Sequence, residues 1–73
     1  MSSSTPLSNT MYDILMAIGK DSEFLYDTID AYIEDAKKQN NQHLVDTWNK
    51  IKADRLDHVN LLKGELEKEI HKS

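Results

Sequence analysis

Two long runs of apolar residues at helical spacing, parted by a short polar break, constrain this chain more than any other feature. From Met11 the apolar positions continue as Leu15, Ile18, Leu25, Ile29, Tyr32 and Ala36, in steps of three, four or seven, with Ser22 in the one gap. Ile14 and Ile33 widen the stripe on one side. A period of 3.5–3.6 is that of an amphipathic helix, held here for about seven turns. The second run is Leu44, Trp48, Ile51, then Arg55 and His58, then Leu62, Leu66 and Ile70, broadened by Val45, Leu56, Val59 and Leu61. Between them stand Lys38, Gln39, Asn40, Asn41 and Gln42. Asn accepts the left-handed conformation that ends one helix and also caps the start of the next. A connection this short sets the two helices antiparallel.

The pattern predicts a tail over residues 1–9, a first helix over about 10–38, a loop over about 39–42 and a second helix over about 43–70. Ser8 or Thr10 can cap the first helix: Thr10 with Asp13 approximates a capping box, and Ser8 would place Leu7 and Tyr12 as a hydrophobic staple. Gly19 falls inside the first helix, as a tolerated glycine or as a point where another helix approaches closely. Gly64 weakens the last turns of the second helix.

With 73 residues and no cysteine, the chain is one small domain that no disulfide can brace. A lone pair of helices cannot cover stripes this wide, whereas two hairpins can by pairing. The expected fold is therefore all-α: an antiparallel two-helix hairpin that forms a homodimeric four-helix bundle.

Charge is unevenly placed. Residues 1–36 hold one basic residue, Lys20, against seven acidic ones, while residues 37–73 hold eight basic and six acidic. An acidic helix beside a mildly basic one suits packing of the two against each other. No contiguous basic stripe is present to neutralise phosphates, so neither nucleic acid nor an anionic membrane surface is expected as a partner. No apolar run approaches the ~20 residues of a membrane span and no export segment follows Met1, so a cytoplasmic location is expected. An acidic first helix can still serve as a surface for an unknown protein partner.

Three polar residues stand on the apolar stripes: Ser22, Arg55 and His58. Arg55 and His58 are three apart and share a helical face. Ser22 lies 17 residues before Gln39 and Arg55 lies 16 after it, so antiparallel packing brings all three to one height. A polar interior cluster is the expectation, and its members need partners, because an unpaired buried polar group costs about 1–3 kcal/mol.

Residues Ala36-Lys37-Lys38, Leu44, Trp48 and the run Ala53-Asp54-Arg55-Leu56-Asp57-His58-Val59-Asn60-Leu61-Leu62 resemble the first hairpin of ferritin-like and rubrerythrin-like proteins. That resemblance covers about residues 11–70. It implies a four-helix bundle whose di-iron centre takes a Glu from one helix and a Glu-x-x-His motif from the next. Aligned without a gap, the motif His falls on His58, the motif Glu on Arg55 and the first-helix Glu on Ser22. Encapsulated ferritins build such a bundle from two half-length chains. Here both carboxylates are replaced, and Arg offers no lone pair and keeps its charge. An intact ferroxidase centre is not expected. Asp54 and His58, at i and i+4, form a weak alternative pair for iron or another divalent metal. The simpler expectation is no cofactor, with Arg55 in place of the lost cation and paired with Glu23, Asp54 or an acid of a second chain.

The favoured function is a non-catalytic structural or protein-interaction hairpin, a ferritin-like half that has lost its metal site. The alternative is a divalent-metal binder using His58. A third reading is a phosphotransfer hairpin, or one that binds response regulators, with Asp57-His58 before Lys63-Gly64; it requires His58 to be exposed. A resemblance to sporulation hairpins that dephosphorylate response regulators retains only Leu56 and Asp57 of their signature. No nucleophile elbow, phosphate loop or His-Glu-x-x-His pattern is present. His43 and His71 read as solvated, and Tyr12, Tyr26 and Tyr32 as packing residues with wet hydroxyls.

Overall fold

The computed structural model describes residues 7–72, which are helical apart from Leu7, Ser8 and one tight turn. Residues 1–6, most of the expected tail, lie outside the described residues. Helix α1 (Asn9–Glu23) passes through a π-helical turn (Phe24–Thr28) into α2 (Ile29–Lys38), and α3 (Gln42–Lys72) returns antiparallel to both. The result is a two-helix hairpin, a rod with extents of 52 × 21 × 15 Å.

Local chemistry explains the ends. Ser8 is the N-cap of α1: its backbone is extended and its Oγ accepts from the Met11 N–H at 3.1 Å. At the turn, Asn40 takes a φ of 55°, the left-handed region that Asn tolerates better than other non-glycine residues. Asn41 N–H then donates to Ala36 O and Asn40 N–H to Lys37 O, each at 3.0 Å. This pair of bonds is a Schellman closure, which satisfies carbonyls that the end of α2 would leave without partners. Asn41 also opens the next helix, its Oδ1 accepting from the Leu44 N–H at 3.1 Å. Adjacent asparagines thus end one helix and start the other.

The core is small and lies near the turn. Among the described residues Ile29, Ile33, Ala36 and Val45 are buried, with Phe24, Leu44 and Trp48 packed against them. Farther from the turn, Met11, Ile14 and Ile18 of α1 and Val59, Leu62 and Leu66 of α3 are only half-buried.

The inward faces differ from the expected stripes at named positions. Ile33 is buried where Tyr32 was expected, and Ile14 is turned inward while Leu15 is exposed. In the π turn the Ile29 N–H bonds back to Phe24 O, five residues earlier. Such a turn takes one residue more than an α turn, so the inward face slips by one position across it. On α3 the inward face runs through Arg55 to Val59, leaving His58 and Ile70 exposed. A Cβ added at Gly19 or Gly64 would meet nothing within 4 Å, so neither glycine serves a close approach within the hairpin.

Candidate functional site

The middle of the hairpin gathers its polar chemistry around Arg55. The helical count places Arg55 on the inward face of α3, opposite the last turn of α1. Its Nη1 donates to Asp21 Oδ1 at 3.3 Å, with the two side chains 38% and 18% exposed. Its guanidinium also lies 4.5 Å from the centroid of the Phe24 ring. Phe24 meets Tyr32 edge-on, with centroids 6.2 Å apart, and Tyr32 packs at 5.1 Å on Trp48. One side of the hairpin therefore carries a continuous row from a cation through three rings.

The other side is open. Ser22, Leu25 and Tyr26 face Lys52, Leu56 and Val59 across a groove of about 290 Å³, crossed at one end by a 3.0 Å ion pair between Asp30 and Lys52. Tyr26, inside the π turn, is 86% exposed. A second, smaller groove of about 240 Å³ lies beside Tyr32 and Trp48 near the turn.

The residues singled out from the sequence are distributed over these features. Ser22 is half-buried and lines the open groove, Arg55 is half-buried and belongs to the cation–aromatic row, and His58 is exposed. Among the described residues no polar or charged side chain is buried, so one hairpin alone encloses no polar layer. Val59 takes the inward place that His58 was expected to hold, because the step after Arg55 is four residues here and not three. Glu23 and Asp54 are exposed, and the acid that Arg55 pairs with is Asp21. That partner was legible in principle: Asp21 neighbours Ser22 and is the closest acid to it on the inward side of α1. The ring under the guanidinium, Phe24, lies three residues after Asp21 and so on the same face of the helix.

Among the described residues no group of three or more His, Asp or Glu side chains gathers in a way that could hold a metal ion. No described helix is long and apolar enough to cross a membrane. The two arms differ in charge: residues 9–38 carry seven acids and three lysines, whereas α3 carries six of each sign. No family model matches the chain, and neither the curated proteins nor the solved structures compared with it yield a match.

Proposed function

We propose that the chain is a non-catalytic interaction module whose working unit is a homodimer, two hairpins forming a four-helix bundle. The observation that carries this reading is the imbalance between surface and core. The chain exposes 5631 Å², against about 4,600 Å² for a compact monomer of 8.4 kDa. The excess, about 1,000 Å², is comparable to the ~800 Å² that each partner contributes to a standard interface. The radius of gyration, 16.4 Å, likewise exceeds the ~11 Å of a compact chain of this length. Among the described residues four are buried, few to hold 31 residues of α3 in place.

The lost-metal-site reading accompanies this one. A hydroxyl, a guanidinium and an exposed imidazole at the three matched positions do not make an iron ligand set. The ion pair and ring contact of Arg55 occupy that level of the hairpin instead. Sedimentation equilibrium at micromolar concentration tests the dimer: the expected mass is about twice 8.4 kDa, with a melting temperature that rises with protein concentration. A monomer with a concentration-independent melt would refute it.

The exposure of His58 favours one second reading, phosphotransfer, since a phospho-accepting imidazole must be reachable. Its neighbour one turn back is Asp54, which would repel a phosphoryl group, and the guanidinium of Arg55 is already held by Asp21. Stable phosphorylation of His58 by a phosphorylated receiver domain would establish it; no transfer to wild type under conditions that label a control would remove it.

A further inference from the structure

We propose that the groove between Tyr26 and Leu56 is the dimer face, and that a second copy seats there with its α3 over the rod formed by α1, the π turn and α2. This rests on the reading that the chain self-associates. Three observations select the face and the arrangement.

The first is apolar area. Among the described residues Tyr26 is the most exposed of the large apolar side chains, and Leu56, 49% exposed, stands across the groove from it. Leu15, seven residues before Ser22, continues the same stripe toward the open end of the hairpin. On the opposite side, the rings of Phe24, Tyr32 and Trp48 already pack against one another, so covering them removes less apolar surface from water.

The second is charge. A two-fold axis across the hairpins would lay one acidic rod on another, each with seven acids and three lysines. An axis along the bundle lays each acidic rod over an α3 whose six basic and six acidic residues balance. Like-charge juxtaposition disfavours the first arrangement, and the second avoids it. The second also puts both turns at one end and makes every neighbouring helix pair antiparallel.

The third is height. An axis along the bundle leaves each residue at its own level. Tyr26 and Leu56 share a level, since they line one groove, so Tyr26 of one copy meets Leu56 of the other. Asp30 and Lys52, paired at 3.0 Å within one hairpin, can exchange partners across the same interface.

The test combines sedimentation with cross-linking. Tyr26→Glu and Leu56→Glu each place a charge in the groove and are expected to raise the dimer dissociation constant at least 100-fold. Circular dichroism should still report a helical hairpin, because both side chains are exposed within it. His58→Glu is the control: it lies two residues from Leu56, about 160° round the helix, and should leave the dimer intact. The chain has no cysteine, so single variants cross-link without background. Tyr26→Cys and Leu56→Cys chains, oxidised as a mixture, should give mixed dimers in preference to either self-linked product. Wild type that is monomeric would overturn the proposed function and this face together. Dimers that survive both glutamates would leave the function standing and overturn the face. Groove variants that dissociate, with only self-linked cysteine products, would overturn the arrangement of the helices.

Discussion

Arg55 lies against Phe24 with its guanidinium carbon 4.5 Å from the ring centroid, while its Nη1 reaches Asp21 Oδ1 at 3.3 Å. One side chain thus ties the last turn of α1 and the first residue of the π turn to the middle of α3. A half-exposed ion pair is worth about 0–1 kcal/mol, and an exposed cation–ring contact about 0.5–1 kcal/mol. A double-mutant cycle with Asp21→Asn and Arg55→Gln should give a coupling of about 0.5 kcal/mol that fades in 1 M salt. The cycle of Phe24→Leu with Arg55→Gln should give a coupling of similar size that fades less. Arg55→Lys keeps the charge yet should recover less than half of the lost stability, because an ammonium lacks the flat face. Urea titrations of the six variants measure these values.

Ile29 is fully buried at the junction of the π turn and α2, whereas Leu61 is 69% exposed. Ile29→Ala should cost about 2–5 kcal/mol, comparable to the whole stability available to a chain of this size. Leu61→Ala should change the melting temperature little. Thermal melts followed by circular dichroism check both, and a mild effect at Ile29 would mean that the core near the turn is not what holds the hairpin.

Gly19 and Gly64 each sit inside a helix with open space where a Cβ would project. Replacing either by Ala removes the conformational freedom that glycine gives the unfolded chain and should stabilise the fold by about 0.5–1 kcal/mol. Both substitutions together should be additive, since a Cβ at either position meets no other side chain within 4 Å. Loss of stability at either site in the dimer, with a gain in a Leu56→Glu monomer, would mark that glycine as an intermolecular contact.

Ferrous, manganous and zinc ions should leave the melting temperature of wild type and of His58→Ala within about 1 °C of the metal-free values. Binding to the folded state raises stability by mass action, so a real site would declare itself as a rise that vanishes in the variant. Such a rise would restore the metal-binding alternative and make the dimer the place to look for its ligands.

The helical class, the hairpin and the turn chemistry were legible because each depends on local signals: a 3.5–3.6 period, a capping serine, and paired asparagines between the runs. What was not legible is the rotation of each helix about its own axis. At Tyr32 and Ile33 both neighbours are apolar, so composition does not say which faces inward, and the π turn that decides it leaves no sequence signal of its own. The same ambiguity separates His58 from Val59. Periodicity allows a step of three or of four after Arg55, and the choice of four sends the histidine outward and a valine in. The same holds for Asp21 beside Ser22. A rotation of a few tens of degrees decides which of two adjacent residues meets α3.

The Asn40–Asn41 turn has a consequence for how the chain reaches this shape. It closes a loop of only three residues, so joining the helix ends there costs little chain entropy. The buried residues Ile33, Ala36 and Val45 follow on either side of it within about two turns of helix. Contacts between residues so near in sequence favour rapid folding. The hairpin is therefore set to nucleate at the asparagines and close outward along the rod. The ends of α1 and α3 farthest from the turn, with half-buried side chains alone between them, come together last.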